Sequence, residues 1–344
     1  MQHREIGHYF IVMASVIIVL AGLKSAAEII VPFLLSLFIA IILSPLYNFF
    51  NKKGLPNAIS LTLVIAIFVV FIGLVVKLIG SSVQEFSSNI DFYEQQLSGI
   101  FSKTLSMANN IGITIPQEEI INVINTKQIM EFSTTIIKSI GSMFTNGLII
   151  LLTVVFMMLE SKYFVHKLEY ASSNNSAANH IEEIFNQIKD YMVLKALISL
   201  LTGFIVWVAL IVVGTDHAFL WAVLAFLLNF IPNIGSIIAA LPAVLLTLVQ
   251  LGSLSALIVT GIYVAINVII GSVVEPKVMG KGLGISTLVV FLSLLFWGWL
   301  FGMVGMLLSI PLTIMAKIIF NANENTRWIA VFLGTGDNIS HVNK

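Results

Sequence analysis

The sequence predicts an all-α polytopic membrane protein of about six to eight transmembrane helices, two of them broken or re-entrant hairpins, plus a small helical extramembrane insertion. Three observations lead there. Of 344 residues, 58% are hydrophobic and 10% charged, where soluble domains carry about 45–50% and about 25%. Folded in water, such a chain would expose large apolar patches that only a bilayer can cover. The apolar residues are gathered into long runs, and two of these runs are interrupted midway by helix breakers.

In chain order the runs are Tyr9–Leu23, Ile29–Phe50, Ala58–Ile79, Ile140–Leu159, Met192–Val213, Ala218–Leu251, Leu254–Val274 and Ser286–Phe320. A crossing takes about 20 apolar residues. The first run follows a short polar start with Arg4 and superficially resembles a secretory signal, but Lys24 and Glu28 occupy the region of cleavage, so it is read as a retained helix. Ala218–Leu251 and Ser286–Phe320 reach about 34 residues, too long for one crossing. Pro232, Asn233 and Gly235 interrupt the former; Gly298, Gly302 and Gly305 the latter. Irregular backbone at membrane depth survives where protein or water satisfies its polar groups.

Three stretches are polar. Residues 81–139 hold six acidic side chains against three lysines. Ile90, Tyr93, Leu97 and Ile100 recur there at helical spacing, which predicts a helical insertion, with a turn at Pro116. Residues 160–190 contain Ile181, Ile184, Phe185 and Ile188 on one face of an amphipathic helix that feeds the next span. The tail, 321–344, is short and expected to be loosely held. With the N-terminus in the cytoplasm and both long runs returning as hairpins, only Lys24, Lys77, Lys103, Lys127 and Lys138 of the 17 basic residues lie outside. That bias puts both termini and residues 160–190 in the cytoplasm, and the insertion on the outer side.

Several function classes are excluded by what is missing. Net charge is zero, so no bulk field points to nucleic acid. Without cysteine there is no disulfide, thiolate metal site or cysteine nucleophile. None of the six histidines begins an HExxH, and there is no GxSxG elbow or Walker A loop. The sequence therefore predicts no enzyme, no catalytic or metal-ligating residues and no cofactor. Any solute moves down its own gradient or is coupled to an ion.

Candidate pathway residues lie in two segments. Asn229–Pro242 reads NFIPNIGSIIAALP. Pro232 removes a backbone donor and disfavours helix at Ile231. Gly235 permits unusual dihedrals, and Asn233 offers an amide beside the opened backbone. Such a break can bind an ion or a small polar solute at mid-membrane, or it can be a packing kink. Glu275–Leu283 reads EPKVMGKGL. There Pro276 is expected to stop the helix, and Glu275 is either a titrating carboxylate near the pathway or a headgroup-level charge paired with Lys277 or Lys281. Asp216 and Glu28 are further candidates beside short outer loops, while snorkelling to the headgroups accounts for Lys77, Glu160, Lys195 and Lys317. Gly298, Gly302 and Gly305, with Pro311, are read as packing residues; the GxxxG pair suits close helix approach.

The run from Gly271 to Leu312, GSVVEPKVMGKGLGISTLVVFLSLLFWGWLFGMVGMLLSIPL, resembles the signature of the autoinducer-2 exporter family, the PerM-like permeases. Ala27–Leu46, Leu151–Glu160 and Asn229–Pro242 fit the same family in the same order, so the match covers nearly the whole chain. The resemblance implies a bacterial inner-membrane, homo-oligomeric transporter with the autoinducer-2 furanone as exported solute. Other relatives act as sodium(lithium)/proton antiporters with an implicated Pro-Gly-x-Gly turn. The matching positions here are Pro232, Asn233, Ile234 and Gly235, with asparagine in place of the first glycine. The resemblance also favours Glu275, whose EPKVMG context belongs to the signature. Three readings stand: an exporter of a small polar solute, an antiporter of a monovalent cation against protons with Glu275 or Asp216 titrating, and a non-transporting scaffold whose acidic insertion docks a partner.

Overall fold

The computed structural model describes residues 2–110, 135, 147–171, 175–232, 234–279, 284–321 and 324–335. The named elements among them are all helices: α1 (Gln2–Ser25), α2 (Ala27–Lys52), α3 (Asn57–Ser88), α4 (Ile90–Asn110), α5 (Gly147–Ala171), α6 (Asn175–Val213), α7 (Ala218–Leu228), α8 (Gly235–Leu251), α9 (Ser253–Ile266), a π-helical segment (Asn267–Val274), α10 (Glu275–Met279), α11 (Thr287–Leu307), α12 (Ser309–Asn321) and α13 (Arg327–Leu333).

Among the described residues, five helical stretches are long and apolar enough to cross a bilayer: Ala27–Lys52, Asn57–Phe86, Asn186–Val213, Ser253–Val278 and Thr287–Leu307. In the apolar window of Asn57–Phe86 only 17% is buried within the protein, and Val212 stands 80% exposed. Faces like these are stable only in hydrocarbon, and helices satisfy their own backbone there. The fold is an all-α polytopic membrane protein. At 39 residues, α6 is about 58 Å long, far more than one crossing. Its leading part is the helix predicted to feed the span.

The chain divides into two compact units. The first comprises Met1–Val64, Asn146–Val193 and Lys281–Lys344. Here α2 packs against α5, and the buried Ser36 hydroxyl lies 2.7 Å from the Pro32 carbonyl and 3.2 Å from that of Ile150 on α5. The second long run bends at Gly302, at φ 64°, ψ −146°. A Cβ on Gly298 would lie 2.8 Å from Met306 Cγ, and one on Gly305 would overlap the Trp297 carbonyl. Gly298 and Gly302, read as packing residues in a bent run, lie at that bend, where the chain beyond Gly302 folds back and Met306 comes against Gly298. Trp297 Nε1 donates to Thr313 Oγ1 of α12 at 3.0 Å. Pro311 is buried in the first turn of α12, where a missing N–H leaves no helical bond unmade. Within the tail expected to be loosely held, α13 packs on α12 and an antiparallel bridge joins Gly334 to Ile285; residues 336–344 lie outside the described residues.

The second unit comprises Ile65–Thr145 and Leu194–Gly280. The first long run splits into α7 and α8, which pack against each other across residues 229–234. The 11 residues of α7 span about 16 Å, half of the roughly 30 Å hydrocarbon core, as a re-entrant hairpin requires. Gly203 lets α6 approach α7: a Cβ there would lie 2.9 Å from the Ala222 carbonyl oxygen. The insertion begins with α4, whose Tyr93 and Leu97 are buried on the predicted face and which packs on α8. Pro116 lies outside the described residues.

Candidate functional site

The site is built on the helix break of the second unit. Leu228 ends α7, and the next turn is short: the Ile231 N–H donates to the Leu228 carbonyl at 2.8 Å, and the Ile234 N–H to the Pro232 carbonyl at 2.6 Å. Pro232 is half-buried. Gly235 opens α8 with its backbone pressed on Leu228, where an added Cβ would overlap the carbonyl. Its role is close approach rather than unusual dihedrals. Gly235→Ala is therefore expected to destabilise the protein by about 1–3 kcal/mol through overpacking, read as a lower midpoint in detergent thermal unfolding. Asn233 lies outside the described residues.

Beside this break is a narrow crevice with room for no more than about one water molecule. Thr202 and Val206 of α6, Ala225 of α7, Asn229 of the break, Ser236 of α8, and Tyr263, Asn267 and Gly271 of the α9–π run line it. Its polar groups are all uncharged. Asn229 Nδ2 donates to Ser199 Oγ at 2.9 Å, which fixes the amide against α6. The Thr202 hydroxyl is satisfied by the Ile198 carbonyl at 2.9 Å. Ser236 Oγ and Tyr263 Oη are different: both are buried without a hydrogen-bond partner among the described residues. Leaving a buried hydroxyl unmatched is costly, and here two face one crevice.

One turn away along two of these helices lies an ion pair. Lys195, four residues before Ser199, reaches Glu275, four residues after Gly271, with Nζ–Oε1 at 2.6 Å. Lys195 is 3% exposed and Glu275 22%. Three expectations are corrected here. Glu275 pairs across the unit with Lys195 on α6, while Lys277 beside it is exposed and Lys281 lies outside the described residues. Lys195 accordingly does not snorkel. Nor does Pro276 end the helix, which continues as α10 to Met279. The Glu275 N–H bonds back to the Ile270 carbonyl, and Pro276 falls in the first turn after that π register, where its missing donor is tolerated.

Asp216 lies apart from the crevice residues, in the α6–α7 turn. Gln250 Nε2 donates to its carboxylate, and the Asp216 N–H donates to Gln250 Oε1 at 3.2 Å. Trp221 Nε1 donates to its carbonyl at 3.0 Å. Tyr93 of the insertion joins this cluster by hydrogen bonds to Gln250 and Asn89; burial, then the carboxylates of Asp216 and Glu85, raise its phenol above the ordinary range. Gln250 of α8 thus holds both Asp216 and the insertion's Tyr93. Glu28 is exposed on α2. Of the predicted site residues, Pro232 and Gly235 shape the break, and Glu275 lies one turn from the crevice. Tyr263, Ser236, Asn267 and Lys195 were not singled out from sequence. Tyr263 and Asn267 are nevertheless a signal that could have been read: polar residues four apart in an otherwise apolar run.

A match to the family model for AI-2E family transporters extends over residues 13–325. The chain belongs to this family. It is 36% identical to YhhT of Escherichia coli over 332 residues, 96% of this chain and 95% of that protein. It is 40% identical to a Haemophilus influenzae transport-family protein over 330 residues, 94% of each. The AI-2 transport protein TqsA of Escherichia coli is 37% identical over 324 residues, again 94% of each. Relatives named for transport, together with the membrane-spanning helices, make this a multi-pass bacterial inner-membrane protein with a transport role.

Proposed function

We propose that the chain is a secondary carrier that exports a small, neutral, hydroxyl-bearing metabolite of the autoinducer-2 class, bound in the crevice beside the Pro232–Gly235 break. The observation that carries this reading is the pair of buried, unmatched hydroxyls, Ser236 Oγ and Tyr263 Oη. A polyhydroxylated solute would supply their missing partners, with Asn229 and Asn267 offering further amide contacts. An uncharged lining suits a neutral furanone better than an ion. The name of the similar AI-2 transport protein TqsA supports the same class. The crevice is narrow, so binding involves widening at the break. Both termini in the cytoplasm and the insertion outside complete the proposal, on the distribution of basic residues.

Antiport of sodium or lithium against protons is the second reading, favoured by the carboxylate of Glu275. Its Oε1 already holds Lys195, however, so a metal cation would have to displace an ammonium group. A cell lacking the gene is expected to hold more autoinducer-2 inside and release less. Unchanged partition, in a strain where the protein is otherwise made, would overturn the exporter reading. Antiport in proteoliposomes that survives Glu275→Gln would remove that residue from the second.

A further inference from the structure

In the first unit, the open end of the bent run α11–α12 is closed by a short helix, α13, whose outer face is apolar. Lys317 Nζ, in the last turns of α12, donates to the Gly284 carbonyl just ahead of α11 at 2.5 Å. The two arms therefore form a hairpin, with the start of α11 and the end of α12 on the same side. Both ends of α13 are pinned at that level. At its start the Thr326 hydroxyl donates to the Phe320 carbonyl at 2.8 Å. At its end the Ser286 N–H donates to the Leu333 carbonyl at 3.3 Å, and the Thr335 N–H to that of Gly284 at 3.3 Å. Its seven residues span about 10 Å, so it stays near the open end and does not run back along the hairpin's depth.

Within α13, Ala330 is 3% exposed and faces inward. Trp328, Val331 and Phe332, spaced as neighbours on one helical face, stand 61%, 51% and 78% exposed. The Trp328 and Phe332 rings meet edge to face, their centroids 6.2 Å apart. A surface helix in water shows the reverse pattern, with its large apolar side chains turned in. The flanks of the hairpin tell what covers this face. Leu288, in the first turn of α11, and Ile319, in the last of α12, are each 67% exposed. Apolar side chains at both arm ends call for hydrocarbon as far as the hairpin's opening. There α13 meets the zone where acyl chains give way to headgroups, the level at which tryptophan is enriched. Glu324 and Arg327, both exposed, put polar groups at its start. Residues 336–344 carry two aliphatic side chains, Ile339 and Val342, too little apolar surface to cover this face.

We propose that α13 is an interfacial anchor: Trp328, Val331 and Phe332 insert at the headgroup–acyl boundary of the bilayer and hold the open end of the α11–α12 hairpin at the membrane surface. The partner is glycerophospholipid, bound by apolar burial rather than by charge, since Arg327 is the one basic residue of α13 and Glu324 lies close before it. This contact is independent of the solute carried.

The chain has no cysteine, so a nitroxide on Val331→Cys reports this face in the full-length protein in phosphatidylcholine nanodiscs. Collisions with oxygen are expected to dominate those with a water-soluble nickel chelate, placing the label about 5–10 Å below the headgroup boundary. The same label on Glu324→Cys is expected to report water. A Val331→Cys label open to the chelate shows a solvated face and overturns the proposal. One closed to both reagents shows cover by protein, a second copy or the chain's own tail, and overturns it too. Adding Trp328→Ser/Phe332→Ser is expected to bring the Val331→Cys label out to the chelate; a label that stays in the acyl region would remove the aromatic pair as the anchor. Anionic lipid is expected to leave the depth unchanged, and a depth that requires it would refute apolar binding. A label-free check covers the case in which the nitroxide disturbs α13. The fluorescence lost between the native chain and Trp328→Phe is expected to be quenched by phosphatidylcholine brominated on its upper acyl carbons, and unquenched emission overturns the anchor.

Discussion

Glu275→Leu is expected to cost about 3–5 kcal/mol of stability, the loss typical of removing one partner from a buried ion pair. The size follows from what is left behind. Lys195 is 3% exposed, so its ammonium cannot reach water once the carboxylate is gone. The reverse deletion, Lys195→Met, strands Glu275 at 22% exposure, where solvent offsets part of the loss, and its effect is expected to be smaller. The double variant Lys195→Met/Glu275→Leu is expected to recover most of the stability, since apolar side chains of similar volume often replace a buried pair without penalty. Thermal unfolding in detergent micelles measures all three. A loss below about 1 kcal/mol in Glu275→Leu would mean an exposed pair and would contradict the burial of Lys195. Recovery of stability without recovery of transport would separate the pair's part in folding from its part in function.

How much of this was legible beforehand follows physical scale. Membrane residence and helical class rest on composition and long apolar runs, which no local detail can reverse. The hairpin break was equally plain, because Pro232 and Gly235 act on their own backbone. Tyr93 and Leu97 were placed on a buried face by spacing alone, and both are buried. What stayed hidden was long-range. Lys195 and Glu275 are 80 residues apart in sequence, and nothing local tells a paired lysine from one that snorkels. The π-helical segment also escaped: its sequence, NVIIGSVV, reads as ordinary apolar helix, and Pro276 looked like its terminator. The register shift places that proline in a first turn. The GxxxG pair marked a place of close approach, but spacing reports small residues and not their partner: at Gly298 the neighbour is Met306 of the same run.

The unmatched hydroxyls yield the sharpest functional expectation, because stability and transport should move in opposite directions. Tyr263 Oη and Ser236 Oγ are buried without partners among the described residues, so each forfeits solvation for nothing. Tyr263→Phe removes the hydroxyl and keeps the ring, and is expected to stabilise the protein by about 1–3 kcal/mol. The same change deletes one solute contact of about 0.5–1.5 kcal/mol, which weakens apparent affinity for autoinducer-2 by about two- to ten-fold. Ser236→Ala should repeat the pattern more weakly in stability, since a small cavity partly offsets the gain. Tyr263→Phe/Ser236→Ala is expected to be the most stable and the least active of the three. Unfolding midpoints and initial flux rates in everted vesicles give both axes from one preparation. If the hydroxyls served packing alone, flux would be untouched; if buried water already satisfied them, stability would fall instead. Only a site built to be completed by its ligand gains stability while losing affinity, since its destabilised polar groups are what the solute is selected to match.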